Sequence, residues 1–243
     1  MALFATVLHI YKSTQIEVLN KLSDELKNTR GLARIEIVAI DNANFEKEVT
    51  ERVYKENGVF YLVSPLIGHW ITVKEINVKI ENPFYLYDLT NSLSKKLGTF
   101  ALSFHLHDGG VLFYNLEQNG KPIDGYSSDL QFFLDEPMSK KEVIEQRHAP
   151  KPFAEFLPVS KTTEQLNALL NEGYWAAFDN NDLDEDGCPN DDKYFIDEED
   201  RLKRIGKYLE IYNNEKYPFS DNINELKSLN LTGYSLFKAQ NNF

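Results

Sequence analysis

Two short stretches carry residue types whose spacing could do chemistry. His105-Leu106-His107-Asp108 places two imidazoles at i and i+2. On a strand those side chains share one face, and two neutral imidazoles can chelate Zn²⁺. A metal-dependent hydrolase built on His105 and His107 still needs a third protein ligand and an open position for water. His9, His69 and His148 are the other histidines, and nothing in the sequence brings them near. The competing reading is structural. Both rings then pack against Leu112 and Tyr114 of the next strand, and Asp108 starts a turn.

The second stretch is Asp182-Leu183-Asp184-Glu185-Asp186-Gly187. Asp182, Asp184 and Asp186 match the first oxygen positions of a Ca²⁺ loop, and Gly187 matches its sharp turn. The carbonyl of Cys188 and the side chain of Asn190 would follow as further ligands. The twelfth position should hold a bidentate Glu, yet it is Lys193, and Pro189 removes a backbone donor. Any Ca²⁺ bound here is expected to be weak, and no other cofactor is expected. The alternative functions are therefore a calcium-stabilised structural module or an acidic docking face formed by Asp182, Asp184, Glu185, Asp186, Asp191 and Asp192.

Charge permits a docking face, against the plainer reading of a solvated acidic loop. The net charge is −12, and residues 179–200 hold eleven acidic residues against one Lys. Ten of the twelve net negative charges thus lie in this stretch. Without a basic stripe, nucleic acid is an unfavourable partner, because the phosphate term is repulsive. An anionic membrane surface is disfavoured for the same reason. A basic protein partner fits. Cys188 is a poor nucleophile, since flanking carboxylates raise a thiol pKa. The sequence contains no Gly-rich phosphate loop, nucleophile elbow or paired metalloprotease histidines. Trp70 and Trp175 read as core or interface. The run Tyr174 to Phe178 reads as a buried element or as a partner-binding patch.

These residues need elements to position them. Residues 1–11 are apolar but short and lack a basic start, which favours a buried strand over a signal peptide. Thr14-x-x-Glu17 is a capping-box pattern that opens a helix, with Leu19, Leu22 and Leu26 as its stripe and Gly31 as its stop. Strands are expected over residues 33–40, 59–63 and 70–76, and a short helix over 45–54. Asn82 and Pro83 open a second strong helix, lined by Leu86, Leu89, Leu93 and Leu97 and ended by Gly98. Phe100, Leu102, Phe104 and Leu106 then alternate with smaller or polar residues, as in a strand buried on one face. Asp108-Gly109 and Asn119-Gly120 suit two-residue type I′ turns, so a three-strand meander follows.

Beyond residue 135 the strand signals fade. Pro150, Pro152 and Pro158 indicate an extended connector over 146–158. Helices are expected over 162–172, after Asp197, and over 223–229. The expected fold is α+β. It has a largely antiparallel sheet domain over residues 1–138, a connector over 139–160 and a mainly helical region over 161–243.

The block over residues 68–132 also carries a resemblance. Trp70 and Val73, then His107-Asp108, Val111-Leu112-Phe113-Tyr114, Asn119-Gly120 and Ile123-Asp124-Gly125-Tyr126-Ser127-Ser128 follow in a specific order. This pattern is similar to that of a group of uncharacterised bacterial proteins. The tail Glu199-Asp200-Arg201-Leu202 through Gly233-Tyr234 is similar to theirs as well. Gly109-Gly110 departs from the polar residues expected at the first hairpin. The resemblance covers about half of the chain and implies a bacterial, cytoplasmic protein without implying an activity. Together these readings favour a non-catalytic protein-binding module, of the immunity or antitoxin kind, against a basic partner.

Overall fold

In a computed structural model, residues 5–32, 34–40, 43–51, 59–76, 85–107, 109–130, 132, 138–147, 151–211 and 231–240 are described. Eight strands form one sheet: β1 (Ala5–Tyr11), β2 (Arg34–Ala39), β3 (Val59–Val63), β4 (Trp70–Ile76), β5 (Phe100–His107), β6 (Val111–Gln118), β7 (Lys121–Ser127) and β8 (Ser235–Gln240). Their order is β2-β8-β3-β4-β1-β5-β6-β7, and every pair is antiparallel. The fold is α+β. Among the described residues no helix is long and apolar enough to cross a membrane.

The first helix, α1 (Gln15–Arg30), forms as its caps dictate. Thr14 Oγ1 accepts from Glu17 N–H, Glu17 reaches back to Thr14 N–H, and Gly31 closes the helix at φ 63°. The second, α2 (Tyr85–Leu97), carries Leu89 and Leu93 into the core, and Leu97 packs at its edge. Asn82 and Pro83 lie outside the described residues. Both helices cover one face of the sheet and share a cluster with Leu8, Ile10, Val73, Ala101 and Phe237. The β5 strand therefore differs from expectation: it is buried on both faces, with Ala101 in the helices' cluster and Ser103 and His105 buried on the same side.

The opposite face is covered by α3 (Lys140–Glu145), α4 (Thr163–Leu170), α5 (Tyr174–Asp179) and α6 (Glu198–Tyr208). One hydrophobic cluster joins Phe104, Leu116 and Tyr126 of the sheet to Leu166, Trp175, Leu202 and Ile205 of these helices. The proline-containing stretch is not simply extended. Residues Lys151–Glu155 make a 3₁₀ turn, and Phe153 and Phe156 are buried in that same cluster. Pro fits the first turn of such a helix, and the apolar residues after it decide the burial. In the segment expected as a helix over 45–54, Glu46–Glu51 is a π-helical turn. The expected helix over 223–229 lies outside the described residues.

The last strand was not foreseen from the sequence. β8 inserts between β2 and β3, pairing Phe237 with both Ile37 and Tyr61. Its Lys238 is buried, with Nζ 5.8 Å from the centre of the Phe60 ring. A lysine in the middle of a six-residue strand hides the alternation that would mark it.

The two hairpins divide. Gln118 pairs with Lys121, so Asn119 (φ 53°) and Gly120 (φ 75°) form the two-residue turn. His107 pairs with Val111, so the first loop holds three residues, with Gly109 at φ 69° and Asp108 outside the described residues. A Cβ at Gly120 would lie 2.7 Å from Lys95 Cβ on α2. Gly120→Val is therefore expected to lower unfolding stability by about 2 kcal/mol, from strain at positive φ plus the clash. A urea titration with an unchanged midpoint would refute this.

A carboxylate-rimmed candidate site

The two histidines sit side by side on β5, with ring centres 5.9 Å apart. In register, His105 faces Phe113 and His107 faces Val111. Leu112 and Tyr114 point to the other face with Phe104 and Leu106, so the expected packing against them does not occur. His105 Nδ1 instead lies 2.7 Å from Thr6 Oγ1, and Phe132 stands edge-on to His107. Burial, then the neighbouring His107, pushes the His105 imidazole down to about 4, so it is neutral at ordinary pH. His9 is buried on the opposite face beside Thr72. Among the described residues, no three His, Cys, Asp or Glu side chains gather as a metal site needs.

The acidic stretch begins where α5 ends. Asn181 turns the chain at φ 53°, and Asp182 N–H returns to Ala177 O. A small hairpin follows, with Leu183 bridged to Pro189 and Gly187 at φ 80°. Asp184 Oδ1 accepts from the N–H groups of Asp186 (3.0 Å) and Cys188 (2.8 Å), which folds the tip around its carboxylate. Lys193 Nζ lies 3.1 Å from Asp182 Oδ2 and 3.0 Å from Asp191 Oδ2. Hydrogen bonds to Asp191 and Asp182 push the lysine pKa up. The residues considered as calcium ligands thus take separate tasks. Asp182 holds Lys193, Asp184 caps the tip, Asp186 is exposed, and Asn190 N–H donates to Asp182 O. Asp184, Glu185, Asp186, Asp191 and Asp192 are exposed together on this face. Cys188 has its thiol pKa raised by partial burial and then by Asp184.

Beside the hairpin opens a cavity of about 270 Å³. Met138, Val143, Tyr174, Phe178 and Leu183 line it with apolar surface, and Lys140, Asn181, Asp184 and Glu185 add polar groups to the lining. Lys140 Nζ donates to Asn181 Oδ1 at 2.6 Å. The walls are anchored from behind. Trp175 Nε1–H donates to Ser127 O at 3.0 Å, which sets α5 on the sheet. Arg147 grips Asp179 with both terminal nitrogens, at 3.0 and 2.8 Å, and stacks 5.3 Å from the Trp175 ring. This ties the end of α3 to the end of α5. The Tyr174 to Phe178 run is therefore a helix. Trp175 and Ala177 point to the core, while Tyr174 and Phe178 also border the cavity. Sequence reasoning missed Met138 and Val143. The signal for Leu183 was an apolar residue inside an acidic run.

Below this face lies a buried polar junction. Arg201 is fully buried. Its Nη1 donates to Tyr126 Oη at 2.5 Å and lies 3.1 Å from Glu198 Oε1, and its Nη2 donates to Glu172 O at 2.9 Å. Tyr126 in turn donates to Leu170 O and stacks on Tyr114, which donates to Asp124. The Asp124-x-Tyr126 motif and the tail residue Arg201 thus meet in one network. Gly173 permits the approach: its φ is 70°, and a Cβ there would lie 3.1 Å from Arg201 Nη2.

Burial pushes the Glu198 carboxyl up to about 7, outweighing the downward pull of Arg201 and Ser128. The ordinary value is 4.5. Between those values the folded protein keeps a proton that the unfolded chain has lost. Stability from this group therefore falls as pH rises through that window. Relative to Glu198→Gln, the parent should lose on the order of 2 kcal/mol between about pH 5 and pH 7. Parallel urea titrations that show the same pH slope for both proteins would contradict this. Comparison with protein-family models, with curated proteins and with solved structures finds no match for this chain.

Proposed function

We propose that this protein is a non-catalytic protein-binding module whose acidic face receives a cationic segment of a protein partner. The observation that carries the reading is the exposed tip of Asp184, Glu185 and Asp186 beside an apolar cavity. Lys193, the single cation in residues 179–200, is already engaged by Asp182 and Asp191. The tip therefore keeps its negative field for a partner, where it would speed encounter and select charge. A bacterial cytoplasmic setting and an immunity- or antitoxin-like role against a basic toxin agree with the acidic composition and the lone free cysteine.

The test uses a labelled oligolysine peptide of about ten residues, followed by fluorescence anisotropy. Binding at low salt should weaken at least about tenfold between about 50 and 500 mM salt. It should also fall in the variant carrying Asp184→Asn, Glu185→Gln and Asp186→Asn. Equal binding by parent and variant, or none by the parent at low salt, would sink the proposal.

A further inference from the structure

The geometry points to the cavity between α3, α5 and the acidic hairpin as an anchor pocket for one large apolar side chain of the partner, carried next to a lysine or arginine. This rests on the docking role proposed above and adds the recognition rule. Size limits the occupant. An apolar cavity of about 150 Å³ already holds benzene, and drug-sized ligands occupy pockets of about 300–1,000 Å³. At about 270 Å³ this one suits a single phenyl or branched aliphatic group.

Chemistry limits it further. Met138, Val143, Phe178 and Leu183 offer apolar surface, and Met138 can adjust its rotamer to the guest. A side chain seated there would bring its own backbone and its neighbours over Asp184 and Glu185. A lysine or arginine in that position is attracted, and an acidic residue is repelled. Lys140 is the opposing charge on the lining, and it is held on Asn181. The two carboxylates of the lining outnumber it.

The pocket is also built in advance. Asp184 is fixed by two backbone N–H groups, and α5 is fixed by Trp175 on Ser127. The mouth of α3 is held by Lys140 on Asn181 and by Arg147 on Asp179. Apart from the Met138 side chain, these bonds hold the walls before binding, so an anchor there should contribute most of its burial energy to affinity.

The experiment compares oligolysine with the same peptide bearing one central phenylalanine. The second peptide has one positive charge fewer, so pure charge attraction predicts weaker binding. The pocket predicts about tenfold tighter binding, as burying a phenyl ring outweighs one exposed charge. Backbone amide shifts unique to the phenylalanine peptide should concentrate at Val143, Phe178 and Leu183. Met138→Trp, outside the acidic hairpin, should fill the space and erase the gain while leaving oligolysine affinity unchanged. If oligolysine binds and phenylalanine adds nothing, the pocket is refuted and the docking face survives. If the gain appears but the shifts lie elsewhere, the pocket is also refuted. If neither peptide binds, both proposals fall.

Discussion

Replacing Arg201 with alanine is expected to lower the unfolding free energy by about 3–5 kcal/mol, because it opens a void in the core and leaves several buried acceptors without their donor at once. Arg201 is fully buried and touches three elements: Tyr126 on β7, Glu198 in the first turn of its own helix, and the carbonyl of Glu172 between α4 and α5. Removal leaves Glu198 without its cation, Tyr126 without its donor and a void the size of a guanidinium. The cost should reflect the stranding more than any intrinsic strength of the ion pair. A paired replacement checks this. Arg201→Met with Glu198→Leu removes both charges and keeps volume, and it should recover much of the loss. Urea titrations at pH 7 read both effects. An Arg201→Ala midpoint close to the parent's would show that the junction contributes little. Failure of the double variant to recover would show that the hydrogen bonds to Tyr126 and Glu172 dominate.

Phe156→Ala is expected to cost a similar amount, about 3–5 kcal/mol, although Phe156 lies in a stretch rich in proline. Its ring sits 5.5 Å from Tyr11, 5.2 Å from Trp70, 5.3 Å from Phe100 and 5.1 Å from Phe153. Three of these contacts reach the sheet. The aromatic cluster therefore fastens the segment before α4 onto β1, β4 and β5. Truncation leaves a cavity among large rings that cannot collapse, and the edge-to-face contacts go with it. Thermal unfolding with a probe near Trp175 and a second near α1 should shift together, since the two clusters they report on pack against opposite faces of the same sheet. A loss below about 1 kcal/mol would place the ring at the surface, as the connector reading implied.

Several parts of this arrangement were legible before any coordinates. The cap of α1, from Thr14 and Glu17 to Gly31, needs only groups within one turn of each other. The Asn119-Gly120 turn needs only two residues that accept positive φ. The α+β class followed from alternating and helical periods, and the acidic face followed from a count of charges. For the candidate site, Asp184 and Glu185 were visible as types, whereas Leu183 read only as a spacer between acidic residues.

Other parts needed the third dimension. The alternation in β5 shows two sets of side chains but cannot say that both are covered. That depends on α2 packing against β5. The histidine pair was legible as a spacing, whereas its neighbours Thr6 and Phe113 were set by strand register. The place of β8 between β2 and β3 is a pairing across most of the chain, and no local signal encodes it. The cavity is made of Met138, Val143, Phe178 and Leu183, which no single periodicity links. By itself the sequence determined the caps, the turn dihedrals, the strand and helix periods and the charge of one face, because these arise from interactions between near neighbours. Only the tertiary structure decided which faces are buried, which strands pair and where apolar surface meets the carboxylates. Those outcomes depend on contacts between distant segments, whose closure entropy is offset only when the whole core forms.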